Sequence, residues 1–202
     1  GEDARFGGAV AIEPSRTNLF LPPVRFGALA DVEEPITDFY GALNSAMLDT
    51  SDAGPLVGSR CLSVSKEGSG QAGVRTHYYV FASEDLIASG GRCSASVYLR
   101  SESPGATFKV YLNKDTGGPI SPTTEFPASE EWTRYEASGV TTAGTDGALS
   151  LFIEQVPATG QDVAFSVGAA QLEVGDYPSS WIGGDVEAST ATRGGNPGVQ
   201  YQ

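Results

Sequence analysis

Apolar and polar residues alternate along several stretches of this chain with the two-residue period of a β-strand that buries one face. In Cys93 to Arg100, Cys93, Ala95, Val97 and Leu99 fall on one side, and Ser94, Ser96, Tyr98 and Arg100 on the other. Ala106 to Asn113 repeats the pattern, with Phe108, Val110 and Leu112 opposed by Lys109, Tyr111 and Asn113. The connection Ser101 to Gly105 has hairpin length and a Pro-Gly turn, so these two strands are expected to pair antiparallel. Further on, Leu149, Leu151 and Ile153 alternate with Ser150, Phe152 and Glu154, and Val163, Phe165 and Val167 with Ala164 and Ser166.

Arg60 to Ser65, Val74 to Ala82 and Trp132 to Ala137 are further strand candidates. The second is nearly continuous in apolar and aromatic residues, which suits a strand covered on both sides. Loops rich in Gly, Ser, Asp and Pro separate these runs: Asp49 to Gly58, Glu67 to Gly73, Asp115 to Pro122, Thr141 to Gly147 and Pro157 to Asp162. Roughly seven or eight short strands at such spacing predict an all-β sandwich of two antiparallel sheets. Helix is expected only as one turn at Ser83 to Ala88 and over Thr37 to Leu48. No internal repeat or linker divides the chain, and residues 1–202 are expected to form a single domain.

Composition narrows the function. The 202 residues are 40% hydrophobic and 18% charged, with 26 Gly and 12 Pro, as in a folded chain dense in turns. The net charge of −13 repels phosphate backbones, and no Lys/Arg run makes a local exception, so nucleic-acid binding is excluded. Apolar runs are too short to span a bilayer, and membrane insertion is not expected. The chain lacks an initiator Met and ends in the polar stretch Asn196 to Gln202, which suggests an excised or processed piece of something longer. Cys61 and Cys93 each begin a strand-like run; two buried thiols or one disulfide both fit.

The ends of the chain carry a resemblance. Ala9 to Phe20, AVAIEPSRTNLF, resembles the G-x-x-x-E-x-x-R-T-N-L opening of a jelly-roll, carbohydrate-binding-like module found in phage tail, fibre and other virion proteins. Gly168 to Ile182, GAAQLEVGDYPSSWI, is similar to its G-A-Q-L-E-x-G-x-x-P-T-S-Y-I close, and Thr192 with Arg193 to its terminal T-R. Ser94 to Arg100, SASVYLR, sits where the module has S-x-W-V-K, and Glu131 to Tyr135, EWTRY, matches its E-W-T-R. The segment Pro22 to Met47 is longer and more acidic than the pattern, and Val97 stands where it has Trp. The resemblance implies a jelly-roll sandwich at a virion surface or in an extracellular protein. The implied partners are a cell-surface or extracellular polysaccharide and neighbouring virion subunits, with a homo-oligomer among the arrangements.

A sugar-binding sheet needs aromatic rings against pyranose faces and amides, carboxylates or guanidinium groups for the hydroxyls. The outward halves of the alternating strands supply Tyr98, Arg100, Lys109, Tyr111, Asn113, Phe152 and Glu154, expected together on one sheet face. Against this stands a plain sheet surface, on which cross-strand Tyr pairs stabilise without binding anything. Trp132, Tyr135 and Trp181 lie in framework motifs and are expected to pack. The resemblance also raises a structural calcium ion. Glu13 and Glu173 are its candidate ligands, although no D-x-D-x-D-G loop is present and solvation of both carboxylates, or a turn-locking set of Glu13, Arg16 and Asn18, fits as well. No cofactor is otherwise expected.

Catalysis finds little support. His77 is the only histidine, and no G-x-S-x-G or H-E-x-x-H motif occurs. Adjacent acids such as Glu33 with Glu34, or Glu130 with Glu131, cannot flank a glycosidic bond by themselves. A lyase or hydrolase would draw on His77, Tyr79, Arg100 and Tyr111. The expectation is a non-catalytic recognition module; a purely structural virion domain is the alternative.

Overall fold

The alternating runs become strands with their apolar sides inward. The computed structural model describes residues 16–19, 40–51, 54–55, 60–68, 70–76, 90–114, 118–141, 149–179 and 191–193. Its strands are β1 (Arg16–Asn18), β2 (Tyr40–Leu43), β3 (Met47–Ser51), β4 (Cys61–Lys66), β5 (Ala72–Thr76), β6 (Arg92–Ser101) and β7 (Thr107–Lys114). They continue with β8 (Gly118–Pro119), β9 (Glu125–Pro127), β10 (Thr133–Val140), β11 (Leu149–Val156), β12 (Val163–Val174) and β13 (Ala191–Arg193).

One sheet has five strands in the order β10-β6-β12-β4-β3. The other has six, β2-β5-β11-β7-β8 with β9 also on β7. Every pairing is antiparallel. From β4 to β12 the chain crosses to the opposite sheet at each step, apart from the short β8 and β9, which gives the jelly-roll β-sandwich; β13 pairs separately with β1.

That crossing corrects one expectation. β6 and β7 do not pair: β6 lies between β10 and β12, and β7 beside β11. The 101–106 connection ties both ends to the segment before β10, through Ser101 N to Ser129 O (2.7 Å) and Ala128 N to Ala106 O (3.0 Å). Two runs with similar apolar sides can lie beside each other or face each other, and here they face across the core. Phe108 of β7 meets Tyr135 of β10 edge-on at 5.5 Å and Phe165 of β12 at 5.3 Å. Leu62, Val64, Val74, Val97, Leu99, Val110, Leu112, Leu151, Ile153, Val167 and Leu172 fill the rest of that interior.

The expected helix over Thr37 to Leu48 is also corrected. Its described part is strand β2, a turn and the start of β3, because Asn44 (φ 55°) and Ser45 (φ 63°) take left-handed conformations that end any regular run. The turn expected at Ser83 to Ala88 lies outside the described residues. Cys61 and Cys93 are buried thiols, and neither is in a disulfide. They flank β12 near Val167 and near Val174, about 20 Å apart along a strand, well beyond disulfide reach.

The motifs at the two ends of the chain meet. β1 pairs with β13, setting Arg16 opposite Arg193 and Thr17 opposite Thr192. Leu19, just after β1, donates its N–H to Leu172 O at 2.8 Å and is buried in the core. The closing GAAQLEV is therefore the second half of β12. It carries a β-bulge in which Ala169 and Ala170 oppose Val97 alone, with Ala169 at φ 50°. The extra residue keeps Gly168 and Gln171 on the same outer face although they are three apart in sequence.

Candidate functional site

The seven residues expected on one face divide between two. Tyr98 and Arg100 lie on β6, on the outer side of the five-stranded sheet; Lys109, Tyr111, Asn113, Phe152 and Glu154 lie on β7 and β11, on the outer side of the six-stranded sheet. The expected single face is corrected accordingly, and the cause is the sheet-to-sheet step between β6 and β7.

On the six-stranded sheet, antiparallel register sets residues side by side in rows. Arg75 of β5, Phe152 of β11 and Tyr111 of β7 are direct cross-strand neighbours. The two rings stack at 5.2 Å between centroids and 24° between planes, and the Arg75 guanidinium carbon lies 6.0 Å from the Phe152 centroid. The three side chains form one half-buried stack across three strands, held by aromatic and cation–π attraction.

The next row brings together Gly73, Glu154, Lys109 and Glu125. Tyr111 donates its hydroxyl proton to Glu154 Oε2 at 3.1 Å, which ties the rows together. Lys109 Nζ lies 3.2 Å from Glu125 Oε1 and 3.4 Å from Gln71 Oε1. Gly73 has no side chain in this row for a steric reason, since a Cβ there would overlap the Ile153 carbonyl oxygen. Beyond the stack, Asn113 sits opposite Ser150, and its buried Oδ1 has no hydrogen-bond partner among the described residues.

Arg75, Gln71 and Glu125 were missed in the sequence. Arg75 was hidden inside an apolar run, but its place between inward Val74 and Thr76 obeys the two-residue period and marks it as outward. Glu125 belongs to β9, only three residues long, and gave no periodic signal.

The five-stranded sheet is different. Its outer Ser94 and Ser96 are buried, as are Gln171 and Glu173. Glu173 accepts hydrogen bonds from Ser179 N and Ser179 Oγ, both at 2.8 Å, and from the Gln171 amide. The Arg134 guanidinium donates to Ser96 Oγ at 2.9 Å and to Ser179 O. The closing motif thus clasps its own continuation onto the sheet. A calcium ion does not fit Glu173, whose carboxylate is occupied by these donors; no group of three or more His, Cys, Asp or Glu gathers among the described residues. Glu13 lies outside those residues, as do His77, Tyr79 and Trp181.

Tyr98 is half-buried beside Gly168 and Arg134. The Arg100 guanidinium carbon lies 5.1 Å from the centre of the Trp132 ring. Tyr135 packs as expected: it is buried against Phe108 and Phe126 and donates its hydroxyl to Pro127 O at 2.9 Å.

No protein-family model matches this chain, and no curated protein does. Solved structures do. The chain is similar to an arabinose-bound α-L-arabinofuranosidase, MgGH51, with a TM-score of 0.60 and 16% identity over 78% of this chain. It spans only 26% of that enzyme's length. It is similar to the CBM22-1 xylan-binding domain of Paenibacillus barcinonensis Xyn10C, with a TM-score of 0.51 and 12% identity over 81% of this chain and 94% of that one. It is also similar to the Stig cyclase Fisc from Fischerella sp. TAU, with a TM-score of 0.56 and 9% identity over 81% of this chain and 100% of that one. Binding modules and a cyclase share this architecture, so the likeness shows the jelly-roll fold, and the function has to be argued from the side chains.

Proposed function

We propose that the outer face of the six-stranded sheet binds a neutral polysaccharide. On this reading the module is non-catalytic and attaches a larger virion or secreted protein to a polysaccharide-coated surface. The observation that carries the reading is the Arg75–Phe152–Tyr111 stack bordered by Lys109, Glu154, Glu125 and Asn113. The stack is fixed before any ligand arrives, so little side-chain freedom is lost on binding. Its apolar surface suits the C–H face of a pyranose, and the surrounding donors and acceptors suit hydroxyls. Two cations and two carboxylates balance across the face, on a chain of net charge −13, which favours an uncharged ligand over a polyanion. The xylan-binding domains among the similar folds are in keeping with this reading.

Affinity electrophoresis through gels containing xylan, β-glucan or mannan tests it. Retardation by at least one neutral polysaccharide is expected. Tyr111→Ala should weaken that binding at least ~10-fold, about 1.4 kcal/mol or more. No retardation by any polysaccharide, together with concentration-dependent trimers in sedimentation, would replace this reading with that of a structural domain making subunit contacts.

A further inference from the structure

Where β6 ends, the outer side of the five-stranded sheet opens into a depression of about 450 Å³ lined by Arg100, Ser101, Glu102 and Glu130. Its size lies within the roughly 300–1,000 Å³ of small-molecule sites. It is on the opposite sheet from the Tyr111–Phe152 stack. We propose that this depression is a second, separate subsite for a neutral sugar.

The floor is rigid. Ser101 N donates to Ser129 O at 2.7 Å, and Glu102 N to Ala164 O at 2.9 Å. Glu131 N donates to Ser129 Oγ at 3.1 Å, which fixes the turn that carries Glu130. Arg100 is held against the Trp132 ring, yet its donors are largely unused. Its Nε is buried without a hydrogen-bond partner among the described residues, and its nearest carboxylate oxygen, on Glu102, is 3.9 Å away. That separation is too long for a hydrogen bond. The Glu102 side chain is 63% exposed, and Glu130 is exposed as well, so both carboxylates are accessible.

The chemistry selects the ligand class. Two carboxylates on a chain of net charge −13 repel phosphate, sulfate or uronate. A metal ion would share the depression with the Arg100 guanidinium. A ring carrying only hydroxyl groups satisfies both kinds of residue, accepting from Arg100 and donating to Glu102 and Glu130. With a sugar site on each sheet, one module would bridge two glycan chains.

The test is a titration of the ¹⁵N-labelled chain with xylohexaose, cellohexaose and maltohexaose. It follows the Trp132 indole N–H and the backbone amides of Glu102 and Glu130 by NMR. With at least one hexasaccharide, saturable shifts at these positions are expected in the wild type and, undiminished, in Tyr111→Ala. The exposed double substitution Glu102→Ala/Glu130→Ala should weaken them at least tenfold while leaving shifts on the β7–β11 face intact. If the depression shifts disappear in Tyr111→Ala, there is one site and the second is overturned, while the sheet-face reading stands. Shifts at the depression without any on the β7–β11 face would support the second site and sink the sheet-face reading. No shift at the depression with any hexasaccharide, or shifts there only with calcium or hexagalacturonate, would overturn the proposal.

Discussion

The two sheets of this sandwich are alike inside and opposite outside. Inward, both present the same alternation with Val, Leu and Phe. Outward, the six-stranded sheet carries a half-buried stack of Arg75, Phe152 and Tyr111, whereas much of the five-stranded sheet lies beneath its own chain. Ser179 is clasped over Gln171 and Glu173, and Pro55 sits where a Cβ of Gly168 would point. A polar residue on the solvent side of a strand is therefore no sign of an open surface. Ser94 and Glu173 are both fully buried on the outer side of their sheet, and Tyr111 is not. Where the chain covers its own sheet, polar side chains hold structure together; on the six-stranded sheet Ser150 and Glu154 are buried too, while Lys109, Tyr111 and Asn113 stay partly exposed to a ligand.

The largest expected effect falls on the covered side. Glu173→Ala removes an acceptor from three donors in a site without water access, and unsatisfied buried polar groups cost about 1–3 kcal/mol each. A loss of about 3 to 4 kcal/mol in urea unfolding is expected, with glycan binding by the remaining folded protein unchanged. A loss below about 1 kcal/mol would mean that the clasp is a surface contact and that the two faces differ less than described.

Beneath that same sheet, burial pushes the Cys93 thiol from 9.0 up to about 11, against a smaller opposing contribution from a backbone hydrogen bond of Gly139 to the thiolate. The neutral thiol is thus favoured in the fold. Its stabilisation is complete below about pH 9 and is lost as pH rises toward 11, amounting to about 2 to 3 kcal/mol at most. Tyr135, whose hydroxyl burial likewise raises, adds a loss of the same sign at the upper end. Urea midpoints at pH 8 and pH 11 should separate by less in Cys93→Ala than in the wild type; equal separations would remove Cys93 as the cause.

The alternation of Cys93 to Arg100, Ala106 to Asn113 and Leu149 to Glu154 was enough to name the strands and their inward faces. It was silent on which sheet each strand joins, because period two records one buried side and nothing about neighbours. Hence Tyr98 and Arg100 were grouped with Tyr111, although they stand on the other sheet. The short β8 and β9, and with them Glu125, were invisible for want of enough residues to show a period. The end motifs were legible as words, yet their physical sense emerges only from the pairing of β1 with β13 and from the hold of Glu173 on Ser179.

On the six-stranded sheet Glu154, buried but bonded to a half-exposed partner, matters less to the fold. Glu154→Ala removes the partner of the Tyr111 hydroxyl, but half-exposed Tyr111 can turn that hydroxyl to water. About 1 kcal/mol is expected in urea unfolding, roughly a third of the Glu173→Ala effect, together with weaker glycan binding. Equal losses at Glu154 and Glu173 would erase the distinction between the faces.

The smallest effect is expected at the bulge that keeps Gly168 and Gln171 on the covered face. Ala169 holds a left-handed φ of 50°, which an L-residue with a Cβ adopts at a cost of about 1 kcal/mol and glycine adopts freely. Ala169→Gly relieves that strain, while it gives up a buried methyl and adds freedom to the unfolded chain. These contributions are of similar size and opposite sign, so the net change should stay within about 0.5 kcal/mol. Ala95→Gly, in the regular part of β6 and equally buried, has no strain to relieve and should lose about 1 kcal/mol or more. The difference between the two substitutions, read from chemical denaturation of both variants, isolates the backbone strain in the bulge. Equal losses would mean that the bulge is unstrained and that Gln171 reaches the clasp at no conformational cost.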